Sequence, residues 1–128
     1  MSIGTSLEST ESFSLRQFQL RALQWMSTCF PDAKSKRVEQ RALRFLEEAI
    51  ELAQAVGVTA EQAALLTKQV YDKPVGEARF ELGAVMVTLS GVACACTEDL
   101  ASCAENELTW CIEHSADIQR KNRNKLTI

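Results

Sequence analysis

Three carboxylates on two turns of one helix are the residues of this chain best suited to chemistry: Glu47, Glu48 and Glu51, in the run Arg44-Phe45-Leu46-Glu47-Glu48-Ala49-Ile50-Glu51-Leu52. Spaced i, i+3 and i, i+4 they share one helix face, where like charges repel. A solvated helix relieves such repulsion with Lys or Arg one turn on, but Leu52 and Ala55 stand there instead. Hard oxygen donors gathered without a basic partner suit a divalent cation such as Mg²⁺. Glu77 and Glu81 repeat the i, i+4 spacing, with Val85 at the next turn. Two helices aiming Glu47, Glu48, Glu51 and Glu81 at one point would build a carboxylate cage of the kind bundle cores use. One or two ions there hold a triphosphate and lower the pKa of a bound water, and a spare glutamate serves as general base. The plain alternative is a solvated polar face on which Arg44 pairs with Glu47 and Glu48.

The elements that must position these groups fit one helical domain. At 128 residues, 46% hydrophobic and 24% charged, the chain can bury a core and has ordinary globular composition. A net charge of −3 does not mark a phosphate-backbone binder, so no nucleic-acid polymer is expected as a partner. Five cysteines (Cys29, Cys94, Cys96, Cys103 and Cys111) show no Cys-x-x-Cys spacing; most lie in apolar helical sequence and read as reduced thiols, which points to the cytoplasm. Cys111 and His114 lack the second pair that a zinc site needs. The polar, acidic N-terminus has neither the basic nor the apolar region of a signal peptide.

Residues 1–12 read as a flexible arm and 13–128 as a single domain. Ser14 with Gln17 caps a first helix running to about Phe30, and Pro31-Asp32 breaks it. Asp32 or Ser35 opens a second helix that stops at Gly57. Thr59 with Gln62 caps a short helix to about Tyr71. A long helix is expected from about Val75 to Cys96, uncharged between Glu81 and Glu98 and buried on nearly all sides; it is too rich in Gly, Ser and Thr for a membrane span. Thr97-Glu98-Asp99 opens a last helix ending in the basic tail Arg120-Lys121-Asn122-Arg123-Asn124-Lys125. The expectation is an all-α bundle of four principal helices and one short extra helix. Its long apolar helix asks for cover from other subunits, as a homodimer or homotetramer.

The segments Phe45–Ala55, Pro74-Val75-Gly76-Glu77 and Glu81-Leu82-Gly83-Ala84-Val85-Met86-Val87-Thr88-Leu89 carry a resemblance. Over roughly residues 37–121 the chain resembles the MazG-type all-α NTP pyrophosphohydrolases, and more closely their phage and prophage dATP/dGTP members, which include the MazZ-like enzymes. The resemblance implies Mg²⁺- or Mn²⁺-dependent cleavage of a (d)NTP between the α and β phosphates, in a cytoplasm that could be that of a phage host. Glu48, Glu51 and Glu81 match metal ligands, and Glu47 the first acid of the motif, as ligand or base. The family's usual final Asp falls on Ala84, which cannot bind metal; the phage type also has a small residue there, and Glu77 is the substitute candidate. Lys121 matches a basic position near the end of the family's last helix. Lys73 and Arg79 are further phosphate candidates, and Trp25 a candidate to stack on a base. The rival expectations are an inactive helical assembly module, weakened at Ala84, and a pyrimidine (dCTP/dUTP) pyrophosphohydrolase.

Overall fold

Capping side chains mark the start of three of the described helices. In a computed structural model that describes residues 12–127, six α-helices and one 3₁₀ turn are found among the described residues, and no strand. The chain is all-α. The arm read over residues 1–12 lies, save for Ser12, outside the described residues. Helix α1 (Leu15–Cys29) starts behind Ser14, whose hydroxyl accepts the Gln17 N–H at 3.3 Å. Helix α3 (Ala60–Tyr71) has the full capping box: Thr59 Oγ1 accepts from the Gln62 N–H, and Gln62 Oε1 from the Thr59 N–H at 2.9 Å.

The second helix starts later than expected. Asp32 does cap, but its carboxylate takes the Ser35 N–H and hydroxyl and holds only the 3₁₀ turn Lys34–Lys36. These bonds draw the Asp32 carboxyl below the usual carboxylate range. Arg37 is then extended (ψ 144°), and α2 runs Val38–Ala55 with no side-chain cap. It ends as the sequence predicts: Gly57 sits at φ +104°, with Gly57 N–H donating to Gln54 O and Val58 N–H to Ala53 O, a Schellman motif.

Helix α4 spans Ala78–Ala95, three residues short of the expected start. Gly76 and the preceding Pro74 disfavour a first turn there, and Val75 is fully exposed, so no packing offsets that cost. The expectation of a helix buried on nearly all sides is corrected, since no α4 side chain is buried within the chain. Ala78–Ala95 is long and apolar enough to cross a membrane by length and composition.

The end of α4 repeats the Schellman pattern without glycine. Glu98 N–H donates to Ala93 O and Thr97 N–H to Cys94 O, while Thr97 takes φ +57°. A β-branched residue in the left-handed region is strained by roughly 1 kcal/mol or more. Thr97→Gly is therefore expected to raise stability by about 1 kcal/mol, read from thermal unfolding followed by circular dichroism. An unchanged or lower midpoint would mean that Thr97 does not hold this conformation in solution.

The expected last helix is two, α5 (Leu100–Glu113) and α6 (Ser115–Asn122), parted at His114 (φ −116°, ψ 26°). Ser115 Oγ donates to the Cys111 and Ile112 carbonyls, and a hydroxyl that competes for helix carbonyls in this way bends the chain.

The chain divides into two compact units. One joins the residues up to Pro31 with Arg79–Lys125, and in it α1 packs on α5 and α6. Arg21 pairs with Glu105, Trp25 Nε1–H donates to Ser115 Oγ at 3.0 Å, and Gln119 Nε2–H donates to Cys29 O at 2.7 Å. Leu108 and Cys29 are the buried hydrophobic residues here, 6% and 4% exposed, and burial pushes the Cys29 thiol up. The other unit joins Asp32–Ala78 with the residues from Leu126 on and holds α2 and α3. In it Gln40 is buried and Lys34 Nζ donates to Thr127 Oγ1 at 3.1 Å.

Candidate functional site

Helix α2 carries the acidic cluster as the spacing requires. At 100° per residue, Arg44, Glu47, Glu48 and Glu51 fall within about 100° of one another around the axis. Glu48 and Glu51 are exposed and Glu47 is half-buried. Arg44 is half-buried and anchored: its Nη2–H donates to the Leu126 carbonyl at 2.6 Å, and Nη1 lies 3.9 Å from Glu47 Oε1. Its Nε is buried with no hydrogen-bond partner. The guanidinium thus answers part of the repulsion on this face, chiefly toward Glu47, as the ion-pair alternative predicts. At 3.9 Å and with both side chains partly exposed, the pair stabilises the helix only slightly.

Glu77 lies outside α4, in the irregular segment just before Ala78, whereas Glu81 is in the helix's first turn. The reading of Glu77 and Glu81 as one turn apart on a single helix face is corrected: the helix begins too late to include Glu77. At that position its charge complements the helix dipole. Glu47, Glu48, Glu51, Lys73 and Glu77 belong to the α2–α3 unit; Glu81, Arg79, Lys121 and Trp25 belong to the other. Among the described residues, no group of three or more His, Cys, Asp or Glu side chains is arranged to hold a metal ion. Ala84 lies exposed on α4.

The basic candidates are all exposed. Lys73 follows α3 in a bend, Lys121 is in the last turn of α6, and the Arg79 guanidinium lies 4.7 Å from the Phe80 ring centroid. Trp25 is half-buried in the α1–α6 contact, with its indole N–H held by Ser115 and its ring edge-on to Phe30 at 5.9 Å. Those bonds give Trp25 a packing role in its unit.

Two features escaped the sequence reading. An open, mostly apolar groove of about 320 Å³ runs between Arg21, Trp25 and Thr28 of α1 and Leu108, Ile112 and Ser115. Only the docking of α1 on α5 and α6 creates it. The Trp110 and His114 rings stack at 4.2 Å, with His114 Nδ1–H donating to Trp110 O at 2.8 Å. Their i, i+4 spacing was the available signal. Cys111 Sγ is turned to Glu107 Oε2, 3.6 Å away, so Cys111 and His114 are each engaged within their own helix turn. Comparison with family models, curated proteins and solved structures gives no match to this chain.

Proposed function

We propose that this chain is a metal-dependent nucleoside triphosphate pyrophosphohydrolase. It cleaves a (d)NTP, a purine such as dGTP or dATP, between the α and β phosphates to give (d)NMP and pyrophosphate. The observation that carries the reading is the Glu47-Glu48-x-x-Glu51 set on one face of α2, with Glu48 and Glu51 exposed to solvent. The purine preference and the α–β position of cleavage rest on the MazG-type resemblance alone.

The donor set is all carboxylate, which suits a hard cation, Mg²⁺ or Mn²⁺, better than zinc. Glu48, Glu51 and Glu81 would hold it, with Glu77 replacing the acid lost at Ala84. A bound divalent cation supplies neutralisation of phosphate charge and a more acidic water. The chain's own part is then positional. Glu47, tied to Arg44, is the base that accepts the proton of the attacking water. Lys73, Arg79 and Lys121 compensate the negative charge of the phosphates. A four-helix bundle completed by association of chains is the architecture in which these carboxylates meet. All five cysteines are free thiols, which supports a reducing, cytoplasmic setting.

The test is incubation of the protein with a panel of dNTPs and Mg²⁺ or Mn²⁺, followed by separation of products. Monophosphate with pyrophosphate is expected, fastest for a purine. Diphosphate with orthophosphate would overturn α–β cleavage, and fastest turnover of dCTP or dUTP would move the substrate to the pyrimidine class. A second reading, a non-catalytic assembly module, is favoured by Ala84 and by the bare apolar surface of α4; absence of any turnover across the panel supports it.

A further inference from the structure

Two cations of the α2–α3 unit hold Leu126 and Thr127, the last described residues of the chain. Arg44 Nη2–H donates to the Leu126 carbonyl at 2.6 Å, and Lys34 Nζ donates to Thr127 Oγ1 at 3.1 Å. Leu126 is 72% exposed, so apolar burial does not fix this segment. The tail offers both positive charges neutral oxygens only, a carbonyl and a hydroxyl. Because the two acceptors belong to consecutive residues, whose Cα atoms are about 3.8 Å apart, the guanidinium and the ammonium converge on one short stretch.

The guanidinium is only half used on this side. Its Nε–H and Nη2–H form one edge of a planar fork, whose parallel donors match two oxygens of one carboxylate or phosphate. The Leu126 carbonyl fills the Nη2 position, while Nε is buried with no hydrogen-bond partner. A buried donor left unpaired is unfavourable. Nη1 faces Glu47 at 3.9 Å, so that pair leaves the fork edge to another partner.

We propose that Arg44 and Lys34 form a seat for phosphate groups and that residues 126–127 are a strap closing it. A phosphate brings the second oxygen that the fork lacks and the negative charge that both cations lack, and it displaces the strap. Two cations suit the several charges of a phosphate chain better than the single charge of a carboxylate. The seat also lies beside the acidic face: Arg44 precedes Glu48 by one turn, about 40° away around the axis. Its ligand is accordingly a nucleoside triphosphate held through its phosphates, and in that identification the inference rests on the proposed activity. The strap lowers the apparent affinity for phosphates by the fraction of molecules in which the seat is open.

The test is binding of inorganic triphosphate, read by isothermal titration calorimetry with a chelator present, so that neither a divalent cation nor hydrolysis enters. A chain ended at Lys125 should bind about ten-fold more tightly than the full chain. Arg44→Lys in the shortened chain keeps the charge but not the fork, and should abolish that gain. Thr127→Ala in the full chain frees Lys34 alone and should give a smaller gain. Equal affinity of the full and shortened chains overturns the inference, and so does a gain that survives Arg44→Lys. If the shortened chain fails to fold, an unchanged affinity in Thr127→Ala overturns it instead. Failure of the activity is read separately: a binding gain without turnover in the dNTP panel supports the seat and strap and removes the hydrolase.

Discussion

Glu48→Gln is expected to lower (d)NTP hydrolysis by at least ~100-fold, the scale on which removal of a group acting directly on the reaction is felt. The substitution keeps size and shape and removes one negative charge from the middle of the α2 cluster. Because Glu48 is exposed, the fold should be little affected, with a stability change within about 0.5 kcal/mol. Activity and stability are therefore separable in one variant. The control is Glu39→Gln, an acidic residue in the first turn of the same helix whose position falls on the opposite side of the axis; it should leave turnover unchanged. Glu77→Gln should act differently, because Glu77 stands outside α4, in the irregular segment before it. A role as substitute ligand predicts weakened metal dependence, partly restored by raising Mg²⁺, with full loss only at Glu48. Unchanged activity in Glu77→Gln would remove it from the site. Equal activity in Glu48→Gln and wild type would remove the whole α2 cluster from the chemistry and leave the ion-paired, solvated face as its explanation.

Leu108→Ala should destabilise the chain by about 2–5 kcal/mol, the range for deleting a buried leucine side chain. Leu108 is 6% exposed and lies where α1 meets α5. Among the described residues Cys29 is the other buried apolar one, so few contacts stand in reserve when Leu108 is truncated. With total stabilities commonly 5–15 kcal/mol, the loss is a large fraction of what holds this unit together. Urea unfolding at fixed protein concentration reads it, concentration being held because any self-association would contribute to apparent stability. A change below about 1 kcal/mol would show that α1 does not dock over Leu108. Ile112→Ala, one turn on and 56% exposed, is the comparison and should cost less.

Legibility in the sequence followed the range of the interactions. Thr59 with Gln62, Ser14 and Gly57 each act through hydrogen bonds reaching at most five residues, and the structure has all three where the sequence puts them. Asp32 and Ser35 are equally legible as caps for the second helix, but the extended Arg37 that limits Asp32 to one 3₁₀ turn has no local signature. The break at His114 is not legible because a serine hydroxyl bonding back to helix carbonyls, as Ser115 does, also occurs in helices that only bend. The late start of α4 took Glu77 off the helix, so the second half of the acidic site was read with one residue too many on its face.

The amino-acid sequence alone determined the all-α class, the helical spacing that puts Glu47, Glu48 and Glu51 on one face, and the uncharged character of α4. All three follow from local propensity and from a fixed rotation per residue. Only the tertiary structure decided which apolar residues are buried. It places Leu108 and Cys29 inside one unit and leaves Phe80 and Val87 of α4 in the open. A hydrophobic side chain specifies only that it must be covered, while what covers it depends on contacts between segments far apart in the chain, or on another copy of it.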